Sequence, residues 1–382
     1  MAANAVAIRI AVFYAAIFTV IGLRMPFWPV WLAGRGLDPG EIGIVLAVGS
    51  WMQVAAAPWV ASRVDRRGER RKVLAILAAA AALGYALFDL ADGFLAVLVV
   101  AGLVAAVFTP ILPLGDNIAM LAVSRYGIDY GRARLWGSIS FTIAATGGGL
   151  AIAGQSERVL WLIVAAVAAT AGAALLLPDI RTRRQRDRIG ALRVLLADRR
   201  FVAFLVTAGC LQCSHAMIYG FGTLHWQGAG LSAGFVGFLW AESVVAEILF
   251  FVWGRDVLAR IGPLGLLAAG GAAGLVRWPL TALGSDPLTL ALLQPLHAAT
   301  FGAAHLGAMT YIAQTVLPER SATAQSLHSA IAGGIAFGIA MPVAGVLYGQ
   351  FGGAGFAAMT LFSAAGLVGT WWLWRTPGPG GP

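Results

Sequence analysis

Long apolar stretches recur along this chain from end to end and constrain its fold more than any other feature. Each has roughly the 20 residues that a helix needs to cross a bilayer, and only short polar segments separate them. Because a chain in hydrocarbon must satisfy its own backbone hydrogen bonds, and the alternating pattern of barrel strands is absent, helices are predicted. We expect an all-α membrane protein with twelve transmembrane helices. They are placed at residues 7–32, 40–62, 73–90, 94–122, 132–153, 159–177, 202–226, 233–253, 263–283, 287–314, 324–350 and 354–375.

The composition favours the same environment. Hydrophobic residues make up 59% of the chain, charged residues make up 11%, and the mean hydropathy is +0.82, which leaves little polar surface for a globule in water.

The first stretch has few charges before it and no small-residue cleavage site after it, so it is interpreted as a retained helix. Cys210 and Cys213 share one apolar stretch without further ligand residues. They are interpreted as core residues, and no metal or cofactor is predicted.

The positive charges predict the orientation. The predicted side that holds both termini carries 22 of the 26 Lys and Arg residues, with the largest groups at 63–72 and 181–200. The opposite loops carry only Arg35 and Arg158. Both termini are therefore expected to face the cytoplasm, in the inner membrane. This topology also accounts for the net charge of +9, so nucleic-acid binding is not predicted.

The longest polar segment divides the predicted helices into six and six. We expect an N-terminal bundle at 1–178, a cytoplasmic basic linker at 179–200 and a C-terminal bundle at 201–382. This is the layout of transporters that hold a substrate near the bilayer midplane between two related bundles.

A charged motif follows the second predicted helix. It reads Asp65-Arg66-Arg67-Gly68-Glu69-Arg70-Arg71, and a fainter copy, Gly254-Arg255-Asp256, follows the eighth. The first motif resembles the signature loop of the major facilitator superfamily, D-R-x-G-x-R-R, although Ala61 stands where that family usually has Gly. The resemblance implies a conformational latch, and the glycine suits the tight turn. The alternative is a loop that is basic only for topology. The latch residues would be Asp65, Arg66, Gly68, Arg70 and Arg71.

Ionisable side chains inside the apolar stretches are functional candidates because they are costly in hydrocarbon unless paired or hydrated. Glu242, Arg277 and His297 lie near mid-bilayer depth, so we expect them to converge. Glu242 and Glu247 are five residues apart, about 140° around a helix, so only one can face a given partner. Arg24 is expected to reach toward the headgroups. The full set is Arg24, Asp116, Glu242, Glu247, Arg277, His297 and His305.

The region of the fourth and fifth helices carries a second resemblance. Asp116, followed by Gly131-Arg132-Ala133-Arg134, resembles the corresponding region of the oligosaccharide:proton symporters, the lactose permease type. There a carboxylate and the second arginine of the motif bind substrate. The resemblance implies Asp116 and Arg134 as a substrate-binding pair. From the residues alone, either Arg132 or Arg134 can pair with Asp116.

The second half extends that resemblance. Arg277 matches a family arginine, His297 a family histidine, and Glu242 a family glutamate. The resemblance thus adds Arg277 and His297 to the expected substrate-binding residues. Thr300 stands where the lactose permease type has its proton-carrying glutamate, and a threonine cannot cycle a proton near neutral pH. Proton coupling is therefore assigned to Glu247 or Glu242, together with His297, because burial helps a carboxylate to take up a proton.

A third resemblance covers nearly the whole chain. Trp240, Glu247, His297, Phe301 and His305, in the contexts L-W-A, L-H-A and T-F-G, resemble the phenylpropionate permease group. This implies proton-driven import of an aromatic monocarboxylate. Arg277 or Arg134 could clamp the carboxylate, while Trp240 and Phe301 could stack on the ring, although single aromatics in such helices usually serve packing.

Other functions remain as alternatives. A sugar or nucleoside symporter, or a drug exporter, would have the same architecture. A membrane enzyme is not predicted, since H-E-x-x-H, Walker A and a suitable G-x-S-x-G are absent, and a receptor would be expected to carry a soluble domain. The expected partners are a small-molecule substrate, protons and the lipid bilayer, and a monomer is expected.

Overall fold

A computed structural model describes residues 3–180 and 189–376, except the side chains of 61, 62, 64–67 and 189. These residues form helices and no strand, which confirms the predicted all-α class. The helices of the N-terminal part are α1 Ala3–Gly34, α2 Pro39–Arg67, α3 Arg70–Ala86 with a 3₁₀ turn at Leu87–Leu90, α4 Gly93–Phe108, α5 Ile111–Tyr126, α6 Tyr130–Ile152 and α7 Glu157–Leu176.

The C-terminal part is less regular, because π-helical and 3₁₀ turns interrupt its helices. It comprises α8 Ile189–Ala197, α9 Arg199–Cys213, a π turn at Ile218–Gly222, α10 Thr223–Gly228, α11 Ala233–Leu283, α12 Pro287–Leu293, a 3₁₀ turn at Gln294–Leu296, a π turn at Ala298–Ala303, α13 Ala304–Thr315, α14 Pro318–His328, a π stretch at Ser329–Ala336, α15 Phe337–Phe351, a 3₁₀ stretch at Gly352–Ala358 and α16 Met359–Arg375.

Nine helical stretches in the described ranges are long and apolar enough to cross a membrane. Two of them each contain two predicted spans: Ala233–Leu283 has 51 residues and Pro318–Arg375 has 58. At about 1.5 Å per residue, each is more than twice as long as a hydrocarbon core of about 30 Å. Gly262, with φ +68°, breaks the first of them between the predicted spans. The count of twelve crossings stays a prediction.

The chain forms two compact units. The first comprises Met1–Gln185 and Trp226–Ala241, and the second comprises Arg186–His225 and Glu242–Pro382. The predicted bundle boundaries at residues 178 and 200 stay a prediction.

Small residues let the helices within each unit approach closely. A Cβ at Gly22 on α1 would lie 2.7 Å from the carbonyl oxygen of Phe141 on α6, so the contact requires glycine. In the second unit, Trp278 on α11 donates from Nε1 to the Ser363 hydroxyl on α16 over 3.0 Å. Such close contact and interhelical hydrogen bonding replace the hydrophobic effect as the source of helix association in lipid.

Candidate functional site

The second unit contains a polar cluster built on an irregular part of its helical framework. Arg277 and Glu247 lie on α11, whereas Gln294, His297 and Thr300 lie on the consecutive 3₁₀ and π turns at 294–303. π turns inside helices are frequent at functional sites because they change which side chains face inward. Pro295 contributes to the irregularity, since it cannot donate a backbone hydrogen bond.

Arg277 is the centre of this cluster. Its side chain is 1% exposed, Nη2 donates to Gln294 Oε1 over 2.9 Å, and Nη1 donates to Thr300 Oγ1 over 2.9 Å. Nη1 also lies 3.3 Å from His297 Nδ1. The same Gln294 oxygen accepts from the Ser243 hydroxyl over 2.9 Å. The two terminal nitrogens of this buried cation thus bind neutral acceptors of their own unit, while its Nε has no hydrogen-bond partner among the described residues.

His297 lies between Arg277 and Glu247. A guanidinium can only donate, so Nδ1 of His297 accepts from Arg277, and the imidazole proton stands on Nε2. That nitrogen faces Glu247 Oε2 at 3.8 Å. The Glu247 side chain is 20% exposed, while that of His297 is 8% exposed. A carboxylate, an imidazole and a fixed positive charge therefore lie in series.

The structure brings together Arg277, His297 and Glu247, but not Glu242. One carboxylate oxygen of Glu242 is buried with no hydrogen-bond partner among the described residues. The angular separation of the two glutamates on α11 explains why only one meets His297.

A second histidine extends the cluster. His215 donates from Nδ1 to the Leu211 carbonyl over 3.2 Å, so its Nε2 accepts from the Thr300 hydroxyl over 3.1 Å. Polar contacts thus run from Arg277 through Thr300 to His215. A cavity of about 30 Å³ adjoins this path, and His215, Thr300 and His328 help to line it. It has room for one or two water molecules.

The two predicted aromatic substrate residues lie in different units. Phe301 stacks on His297, with ring centroids 5.2 Å apart and an interplanar angle of 6°, and its other neighbour is His305 at 5.9 Å. Trp240 is 6% exposed, belongs to the first unit and lies 6.4 Å from the ring of Trp226.

The first unit contains the other predicted substrate pair. The fully buried Tyr14 on α1 donates to Asp116 Oδ1 on α5 over 2.6 Å. Arg134 on α6 lies within coulombic reach of Asp116, and its guanidinium carbon is 3.9 Å from the Phe18 ring centroid and 5.3 Å from that of Tyr14. Arg132 instead forms an ion pair with Asp129 over 3.4 Å. Of the two arginines, Arg134 is the one beside Asp116.

The predicted latch is described in part. Gly68 has φ +72°, a left-handed conformation that suits glycine. Arg70 donates to Asn117 Oδ1 on α5 over 2.8 Å, and Arg71 donates to the Leu177 carbonyl over 3.5 Å. The side chains of Asp65 and Arg66 lie outside the described residues.

Sequence reasoning missed several members of these clusters, among them Tyr14, Gln294 and Asn117. Tyr14 and Gln294 are polar residues in apolar stretches, so their position was an available signal, but only acidic, basic and histidine side chains were predicted as candidates. Asn117 directly follows Asp116, and its side chain points in a different direction around the helix. Its contact with Arg70 depends on tertiary packing and could not be predicted from the sequence.

Long apolar helices with buried polar clusters are the architecture of a multi-pass membrane protein, and the family and its curated relatives identify the class as a transporter. The chain belongs to the major facilitator superfamily. Its residues 7–359 match the model of the MFS_1 like family.

Curated relatives and solved structures agree with this assignment. The chain is 34% identical to a probable 3-phenylpropionic acid transporter of Escherichia coli (strain K12), over 92% of this chain and 94% of the relative. It is 29% identical to the maltose permease of Geobacillus stearothermophilus, over 85% and 83% of the two chains. The crystal structure of the nucleoside transporter NupG superimposes with a TM-score of 0.84, at 19% identity, over 97% of this chain and 98% of that one. A bacterial homologue of the lysosomal transporter Spinster gives a TM-score of 0.70 at 13% identity, over 98% and 97%.

Proposed function

We propose that this transporter is a proton-coupled symporter that imports a small aromatic monocarboxylate such as a phenylpropionate. The observation that carries proton coupling is the series Glu247, His297 and Arg277, in which a partly exposed carboxylate faces the proton-bearing nitrogen of a buried imidazole. Protonation of Glu247 changes the charge opposite His297, so proton and solute occupancy influence one another reciprocally. The choice of substrate is supported by the 34% identical relative.

The remaining site residues take the following roles in this proposal. Asp116 and Arg134 bind substrate in the first unit. Trp240 of the first unit and Phe301 of the second are each proposed as ring-binding residues within their own unit. Arg277 keeps a positive charge beside His297. The loop around Gly68 latches one conformation through the contacts of Arg70 and Arg71, together with Asp65 and Arg66.

The proposal also includes the topology. The nine apolar stretches, two of which are long enough for two crossings each, account for eleven crossings, and the predicted span at 287–314 is the twelfth. Both termini face the cytoplasm by the distribution of positive charge. The protein acts by alternating access, as a monomer in the inner membrane.

The decisive experiment measures uptake of labelled 3-phenylpropionate by purified protein in liposomes with an alkaline interior. For symport of one proton per solute, each pH unit supports about tenfold accumulation, so a gradient of two units supports about 100-fold. Protein-free liposomes are the necessary control, because a weak acid also accumulates passively on the alkaline side.

Glu247→Gln should abolish this gradient-driven accumulation while equilibrium exchange continues, since exchange requires no net proton transfer. Glu319→Gln, which alters an exposed carboxylate at the start of α14, is the matched control and should behave as wild type. Normal accumulation by Glu247→Gln would remove Glu247 from the coupling step and make Glu242 the next residue to test.

A sugar is the second candidate substrate, because the maltose permease relative covers most of the chain. Competition decides between the two. Benzoate-like acids should inhibit uptake while maltose and nucleosides should not, and the reverse result would replace the carboxylate with a sugar or a nucleoside.

A further inference from the structure

Arg24 of the first unit lies in an environment to which the proposed function assigns no role. Arg24 lies on α1, ten residues before its last residue, Gly34. At about 1.5 Å per residue this is about 15 Å from the end of a helix about 48 Å long, so Arg24 lies inside a hydrocarbon core of about 30 Å, in its outer part. A charged side chain at this depth marks a functional site by default.

Arg24 lacks the partners that buried cations normally have. Its Nε is buried with no hydrogen-bond partner among the described residues. The ion pairs formed by the part of the chain that the structure describes do not include it. Two carboxylates of the first unit are already engaged, Asp116 by Tyr14 and Asp92 by Arg35. Arg24 is therefore a positive charge without an ion-pair partner among the described residues of its own unit.

The guanidinium of Arg24 contacts neighbouring helices of its own unit. Its carbon lies 5.5 Å from the ring centroid of Phe108 on α4, and its Nη2 lies 3.4 Å from where a Cβ at Gly49 on α2 would stand. It is also within coulombic reach of Tyr85 on α3. The side chain thus lies against three neighbouring helices.

Aromatic rings adjoin this cation. Phe108 is half-buried and packs edge-to-face against Tyr85, with centroids 5.9 Å apart, and Tyr85 in turn packs against Trp28 at 5.7 Å. Gly49 leaves the space in front of Nη2 free of a side chain. A planar cation with spare donors, beside a partly exposed aromatic ring, has the chemistry that recognises an aryl carboxylate.

We propose that Arg24, with Phe108 at its side, is a binding site for the carboxylate of an aryl carboxylate ligand in the first unit. This site rests on the proposed function for the identity of its ligand. Arg277 differs from it in that both of its terminal nitrogens already donate within the second unit. A ligand would have to displace those bonds, whereas at Arg24 it displaces none.

The first test compares an acid with its neutral isostere. Binding of 3-phenylpropionate and of 3-phenylpropionamide to purified protein is measured by titration calorimetry. The wild type should bind the acid more tightly than the amide. Arg24→Gln should weaken binding of the acid by about tenfold or more and leave the affinity for the amide unchanged. Arg24→Lys should recover part of the preference, because it restores a charge. Arg35→Gln, at the end of the same helix and paired with Asp92, is the matched control and should keep it.

Three outcomes would overturn the proposal. An acid-to-amide ratio in Arg24→Gln equal to that of the wild type would exclude a role in carboxylate binding. Equal loss of both ligands would assign Arg24 a structural role through Phe108. If Arg24→Gln is not monodisperse, Arg24→Lys is compared with Arg35→Lys in its place, and an unchanged ratio there has the same meaning.

A second test does not depend on the substrate. In a background where Cys210 and Cys213 are replaced by Ser, Arg24→Cys should react with a water-soluble anionic methanethiosulfonate. An unreactive cysteine would overturn the site, since no aqueous anion could reach it. A wild type without preference for the acid, combined with a reactive cysteine, would instead refute the proposed substrate and with it the aryl carboxylate assigned to Arg24.

Discussion

Replacement of Arg277 by Lys tests whether the polar cluster of the second unit holds its helices together. The substitution keeps the positive charge but removes the planar fork that reaches two acceptors at once. Arg277 donates to Gln294 and to Thr300, each over 2.9 Å, and its side chain is 1% exposed. A lysine amine can replace one of these bonds but not both in the same geometry.

The magnitude follows from the number of bonds lost. Interhelical side-chain hydrogen bonds in membrane proteins contribute about 0.6 kcal/mol on average and about 1.7 kcal/mol at most. Loss of one bond, with one buried acceptor left short, should lower the free energy of unfolding by about 1 to 2 kcal/mol. This corresponds to a change of roughly 5- to 30-fold in the ratio of folded to unfolded protein.

The assay is unfolding of purified protein in mixed micelles of detergent and SDS, followed by tryptophan fluorescence. Arg260→Lys is the matched control, because Arg260 lies on the same helix and is exposed, and it should stay within about 0.5 kcal/mol of wild type. Equal stability of the two variants would refute the reasoning, since it would mean that the fork of Arg277 contributes nothing to folding.

Two further predictions concern the first unit. Gly22→Ala should destabilise the protein by about 1 to 3 kcal/mol, because its Cβ would lie 2.7 Å from a backbone oxygen of α6. Gly172→Ala, whose Cβ would have no neighbouring atom within 4 Å, is the control and should leave the stability unchanged. The same unfolding assay compares the two variants. Tyr14→Phe should lower substrate affinity, and in combination with Asp116→Ala it should add no further loss, because Tyr14 acts through its hydrogen bond to Asp116. Additive losses in binding titrations would contradict that assignment.

The fold class followed from the sequence because bilayer physics leaves few choices. An apolar stretch of about 20 residues must be helical in hydrocarbon, so the α class could be predicted without tertiary information. The irregular turns could not be predicted from the sequence alone. Whether residues 294–303 form a regular helix or 3₁₀ and π turns depends on which neighbours satisfy the freed backbone groups, and periodicity does not reveal this.

The candidate site could be predicted only where depth along a helix determines proximity. Arg277 and His297 were expected to meet because both lie near mid-bilayer, and their side chains do lie within 3.3 Å of each other. Depth does not determine the direction in which a side chain points around its helix, however. It could therefore not predict which of the two glutamates on α11 faces His297. The structure brings Glu247 there and leaves Glu242 apart.

Arg24 and Arg277 look equivalent in the sequence, since each is a single arginine in an apolar helix. Their partners separate them. The terminal nitrogens of Arg277 are hydrogen-bonded to Gln294 and Thr300, so a ligand anion can bind this guanidinium only after existing bonds are broken. Arg24 takes part in none of the hydrogen bonds or ion pairs of the described residues, so an anion would supply bonds that the free protein lacks at the terminal nitrogens. Binding energy arises from the difference between the bound and free states, not from the presence of a charge. We therefore expect substrate to discriminate acid from amide at Arg24, while Arg277 influences transport through His297.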